Sequence, residues 1–80
     1  MTPNEFTTLV EHGVFPFLKD PESWKIDRIF DDEYRPVFIL TGEVDRPQKI
    51  SVTPEFIQAN YFDNNYMFAD KLITLINGLK

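Results

Sequence analysis

Few residues in this chain have the type and spacing that chemistry requires. His12 is the only histidine, and Glu11 beside it does not complete a metal site or a base pair for a nucleophile. Standing just before Gly13 at the predicted end of a helix, His12 is expected at the surface, where its charged form suits the helix dipole. Asp31-Asp32-Glu33 offers the oxygens that hard cations take, but it lacks the glycine and the spaced ligands of a calcium loop. Asp63-Asn64-Asn65 opens like such a loop, yet no glycine or closing glutamate follows, and Asp63 is better placed as a helix cap. Ser23 and Ser51 are the only serines, neither within Gly-x-Ser-x-Gly, and the 3 glycines make no phosphate-cradling loop. With no cysteine there is no thiol nucleophile, zinc-thiolate site or disulfide. A metal-dependent hydrolase would need Asp31, Asp32 and further acids to converge on one ion. No enzyme activity, cofactor or metal is expected.

Recognition has better material. Tyr61, Phe62, Tyr66 and Phe68 alternate with Asn60, Asn64 and Asn65, a mixture common at protein interfaces. Its competing reading is core packing at a helix–helix corner, since a tyrosine hydroxyl can reach water from a buried ring. The Val14–Leu18 segment carries the same pair of readings. Either Phe15, Phe17 and Leu18 plug one end of the core, or they form an exposed apolar loop that grips a partner.

The elements that must position these residues can be read in order. Thr2-Pro3-Asn4-Glu5 is a helix start with a cap, a proline at the first helical position and a glutamate three residues after the cap. Phe6, Leu9 and Val10 then share a face, which predicts a helix over 3–12 stopped by Gly13. Pro16 interrupts the next apolar stretch, and Asp20-Pro21-Glu22-Ser23 reads as a turn. A first strand is predicted over 23–30, with Trp24, Ile26 and Phe30 on one face and Arg28 intruding. Arg28 either snorkels at the sheet margin or marks a bulge near Ile29. Asp31-Asp32-Glu33 is the hairpin turn.

Arg35-Pro36-Val37-Phe38-Ile39-Leu40-Thr41 opens a second strand over 35–44 that is apolar on both faces, the pattern of a central strand. A turn at 45–48 leads to a short third strand at 49–52. Lys25 and Asp27 on one edge, and Lys49 and Ser51 on the other, oppose edge pairing. Thr53-Pro54-Glu55 repeats the helix start and leads a short helix through Phe56, Ile57 and Tyr61. Asp63 then caps a longer helix over 64–77, ended by Asn77-Gly78, whose apolar arc takes Phe68, Ala69, Leu72, Ile73, Leu75, Ile76 and Leu79. The predicted fold class is α+β, α-β-β-β-α(α), with a three-stranded antiparallel meander packed against helices in one domain over 1–80. The middle strand offers two apolar faces, Phe38 and Leu40 against Val37 and Ile39, where a sheet covered on one side needs one. The last helix also has a wider apolar arc than one small sheet hides. Both features call for a second cover: the first helix with Val14–Leu18, a second copy, or another protein.

Composition limits the partners. Hydrophobic residues make up 42 % and aromatics 15 % of 80 residues, enough for a folded core in a short chain. No stretch approaches the roughly 18 apolar residues of a membrane span, and the first residues lack the basic n-region of a leader. A cytoplasmic protein without membrane attachment is expected. Net charge is −5. Residues 1–33 already carry that excess in Glu5, Glu11, Asp20, Glu22, Asp27, Asp31, Asp32 and Glu33, set against Lys19, Lys25 and Arg28. Such acidity disfavours direct nucleic-acid binding and suits a basic protein surface, although solubility alone is also a sufficient reason for it.

Short, acidic, cysteine-free chains of this kind resemble phage and mobile-element accessory proteins, nucleic-acid-mimicking inhibitors among them, that block a host machine. That is an analogy of type rather than a family match; the acidic first half and the aromatic cluster lead to the expectation of a small non-catalytic protein-binding module docking on a basic surface of a host protein. Its expected contacts are Asp27, Asp31, Asp32, Glu33 and Tyr34, with Tyr61, Phe62 and Tyr66 as anchors. The alternative is a homo-oligomeric assembly protein, such as a homodimer, that covers its surplus apolar face with itself.

Overall fold

Helix starts and strand patterns produce the expected order of elements. The computed structural model describes residues 1–78. It holds α1 (Pro3–Gly13), β1 (Lys25–Phe30), β2 (Pro36–Val44), β3 (Arg46–Val52), α2 (Pro54–Asn60) and α3 (Asn65–Asn77). Both Thr-Pro starts work as caps: the Glu5 N–H donates to Thr2 Oγ1 at 3.2 Å, and the Phe56 N–H to Thr53 Oγ1 at 3.1 Å. The strands form an antiparallel meander in the order β1-β2-β3. The fold is α+β, with the doubly apolar strand in the middle.

One face of this sheet receives the helices. Ile26 of β1, Phe38, Leu40 and Val44 of β2, and Ile50 and Val52 of β3 meet Phe6 and Val10 of α1 and Phe68, Leu72 and Ile76 of α3. The residues between them along each strand point the other way. The core is notably aromatic. Phe6 stacks on Phe38 at 4.2 Å between centroids, Phe68 lies 6.1 Å from Phe6, and the Tyr61 ring meets Phe68 edge-on at 5.6 Å. No polar side chain is buried among the described residues.

Several details depart from the sequence reading. The first helix includes Gly13, which has no positive φ. The chain leaves the helix through Val14 into a 3-10 turn at Phe15–Phe17, set by Pro16. In that turn Val14, Phe15 and Leu18 are buried but Phe17 stands 68 % exposed, because side chains separated by two residues cannot all face one core. β1 begins at Lys25 because Pro21–Ser23 winds into another 3-10 turn. β3 begins at Arg46 because Asp45 alone, at φ 67°, reverses the chain. Pro47 is tolerated there because β3 is an edge strand.

Arg28 causes no bulge. The β1–β2 register is continuous, and Arg28 reaches along the sheet margin to sit 5.8 Å from the centroid of the Phe30 ring. The cap of α3 is Asn64, whose Oδ1 accepts the Met67 N–H at 3.1 Å. Asp63 cannot cap the helix because it sits at φ 55°, outside the extended region a cap needs. Along α3, Leu75 is 40 % exposed, so the buried arc is narrower than its apolar residues suggested. Leu79 lies outside the described residues.

Candidate functional site

The acidic hairpin is built around Arg35. Asp31 Oδ1 accepts the backbone N–H groups of Glu33 and Arg35, each at 2.9 Å, and Arg35 Nε donates to Oδ2 at 3.0 Å. The same Nε lies 3.6 Å from Glu33 Oε2, and Arg35 Nη2 donates to Glu55 Oε1 of α2 at 2.6 Å. One guanidinium therefore serves three carboxylates and ties the hairpin to α2. Asp31 spends both oxygens on this turn, while Asp32 and Glu33 are exposed. Tyr34 holds a left-handed backbone at φ 60° and projects its ring into solvent, 86 % exposed. Asp27 is exposed on the sheet face away from the helices, opposite Ile39.

Hydrogen bonding sets the electrostatics of this cluster. The Arg35 N–H, then the Glu33 N–H and the guanidinium, hold the Asp31 carboxyl below its ordinary value of 3.8. Glu55 is lowered from 4.5, first by its own backbone N–H and then by Arg35, and Arg35 is raised in return, chiefly by Glu55. The sign follows from linkage. Depressed carboxyl values stabilise the fold above the ordinary carboxylate range, and that stability is lost as pH falls through the range and below it. Thermal unfolding followed from about pH 7 down to about pH 2 should show this acid loss, flattened in Arg35→Met. An identical acid limb in the variant would mean that the guanidinium adds nothing to the backbone N–H groups, which the substitution leaves in place.

The aromatic corner divides into an inward and an outward part. Tyr61 packs on Phe68 and donates its hydroxyl to Asn65 Oδ1 at 3.0 Å. It lines a shallow depression with Arg35, Pro36 and Ile57, so it lies beside the base of the hairpin. Phe62 and Tyr66 stand 74 % and 86 % exposed. Tyr66 belongs to a different surface, an open groove of about 740 Å³ between α1 and α3.

That groove follows from small residues at the helix contact. A Cβ placed on Gly13 would lie 3.7 Å from the Cβ of Ala69, so α1 and α3 approach closely there and leave a valley above. Leu9 and Ile73, both half-buried, form the apolar sides, and Phe17 and Tyr66 project from its walls. Thr8, His12, Asn65 and Asp70 supply polar edges. Residue patterns had pointed to Phe17 and Tyr66 singly. The grouping was not readable, because residues 13 and 69 are far apart in sequence.

No family model, curated protein or solved structure matches this chain. Among the described residues no three His, Cys, Asp or Glu side chains gather as metal ligands, and no helix is long and apolar enough to cross a membrane.

Proposed function

We propose that this chain is a small non-catalytic protein-binding module that takes its partner in the groove between α1 and α3. The observation that carries the reading is the exposure of Phe17 and Tyr66, 68 % and 86 %, on the walls of a groove with an apolar floor and sides and polar edges. Aromatic side chains held in water beside a preformed apolar valley are the usual anchors of a protein interface. The acidic hairpin becomes a secondary, steering surface, since Arg35 already neutralises part of its charge. A role as an accessory or inhibitory factor acting on a basic host protein fits this division, with the groove supplying affinity and the acids supplying the rate of encounter.

Phe17→Ser with Tyr66→Ser tests the reading. Both side chains are exposed, so thermal stability should change by no more than about 0.5 kcal/mol. Capture of a protein partner from source-cell extract should fall at least about tenfold, the loss of roughly 1.4 kcal/mol or more expected of anchor residues. Undiminished capture by the double variant would sink the groove reading.

Self-association is the second reading. It draws on the sheet face turned away from the helices, where Ile29 is 52 % exposed and Ile39 half-buried, although Val37 between them is buried. Light scattering across a dilution series separates the two, since a dimer persisting at low concentration favours self-cover of that face.

A further inference from the structure

We infer that the occupant of the α1–α3 groove is an amphipathic α-helix of another protein, its apolar ridge flanked by lysine or arginine. This rests on the reading of the groove as the partner site. Shape and backbone chemistry choose the helix. The long sides of the groove are α1 and α3, whose N–H and C=O groups are paired within each helix apart from the end turns, which include Asn65 and Tyr66, and Phe17 reaches in from the adjoining 3-10 turn. An extended segment laid there would find no strand edge to satisfy its own backbone, whereas a helix arrives with its backbone bonds made. The floor at Gly13 and Ala69 is low, and the sides at Leu9 and Ile73 are apolar. A ridge of side chains at i, i+3 or i+4, and i+7 can therefore settle between α1 and α3. α1 has 11 residues, a length of about 16 Å at the usual rise, which matches about three turns of an incoming helix.

Charge chooses the flanks. The groove continues along α1 into a second depression lined by Asn4, Glu5, Thr8, Leu9 and Asn65. Across both, the carboxylates are Asp70 and Glu5, and among the lining residues there is no lysine or arginine. His12 is the sole basic group. A second copy of this chain is a poor occupant, because it would bring acid to acid on top of a net charge of −5 on each copy. Basic residues on either side of an apolar ridge would instead meet Asp70 on one side and Glu5 on the other.

The test is a titration of the full-length, isotope-labelled chain with three synthetic peptides, read by backbone amide NMR shifts. The first peptide is a helix-forming 14-residue segment with leucines at helical spacing and lysines flanking them (about four turns). The second carries glutamate in place of every lysine, and the third has a central proline that breaks the helix. The lysine peptide should shift the amides of Leu9, His12, Gly13, Ala69 and Ile73 and bind about tenfold tighter than the glutamate peptide at low salt, a preference that shrinks as salt screens it. Asp70→Lys should weaken that binding about fivefold, and Phe17→Ser with Tyr66→Ser should abolish it.

Shifts confined to the hairpin or the sheet, equal affinity for the glutamate peptide, full binding by the proline peptide, or no saturable binding would each overturn the inference. Its failure is distinguishable from failure of the module reading. A groove that prefers the acidic or the broken peptide removes the basic helix and leaves the module. Partner capture that survives the Phe17 and Tyr66 substitutions removes the module itself.

Discussion

Phe6→Ala is expected to destabilise the protein by about 3–5 kcal/mol, the cost of emptying a fully buried aromatic site. Phe6 has no exposed surface and touches three parts of the fold at once. It belongs to α1, stacks on Phe38 of β2 at 4.2 Å, and lies 6.1 Å from Phe68 of α3. Total stability for a chain of this length is on the order of 4–12 kcal/mol, so one such loss can leave a sizeable unfolded fraction near body temperature. Urea unfolding followed by circular dichroism measures it, with Phe17→Ala as the exposed-ring control expected near zero. A loss below about 1 kcal/mol would mean that α1 is not docked on the sheet as described.

Gly42→Ala is expected to cost about 2–3 kcal/mol, by overpacking rather than by loss of contact. Gly42 lies in the central strand with an ordinary backbone, so conformational freedom is not what it supplies. It supplies space: an added Cβ would fall 2.4 Å from two atoms of the Trp24 ring and 2.8 Å from a third. Trp24 is held on two sides, although it also borders an open depression of about 360 Å³ beside Leu18, Val44 and Ile76. Its indole N–H donates to the Lys19 carbonyl at 3.3 Å, and the Phe15 ring packs 6.1 Å away.

Because Trp24 is the only tryptophan, its emission reports the displacement directly and should move to longer wavelength in Gly42→Ala. A double-mutant cycle isolates the cause. In a Trp24→Ala background, Gly42→Ala should cost less than about 0.5 kcal/mol, because the clashing ring is gone. Additive costs would place the strain elsewhere.

Both predictions turn on contacts between residues distant in sequence, and the sequence was silent on them for the same reason. Local signals were strong: Thr2-Pro3 and Thr53-Pro54 capped the helices as read, and the run from Val37 to Leu40 became the central strand. Boundaries drifted where one residue's backbone angle decided the path. Asp45 and Asp63 both take left-handed conformations, which aspartate tolerates better than most residues but which no pattern announces. The pairing of Trp24 with Gly42 was equally hidden, since a glycine inside a strand can mark a bulge, a bend or a close approach.

The candidate surfaces show the same division. Asp31, Asp32 and Glu33 read as one acidic run, yet Asp31 is bound into the turn by three donors while Asp32 is exposed. Arg35 and Glu55, 20 positions apart, gave no sign of being partners. Tyr61, Phe62 and Tyr66 have similar chemistry and near-adjacent positions, but the chain turns the first inward onto Phe68 and the others outward.

From the sequence alone came the α+β order, the meander, the central place of β2 and the negative charge, since these depend on local propensity, periodicity and composition. Tertiary packing decided which face of each element is left over. α1, α2 and α3 all settle on one side of the sheet; on the other face Ile29 is exposed and Ile39 half-buried, while Val37 is buried. The close approach of Gly13 and Ala69 opens a groove beside it, with Phe17 and Tyr66 in solvent. Which apolar residues remain uncovered is settled only when every element competes for the same limited core.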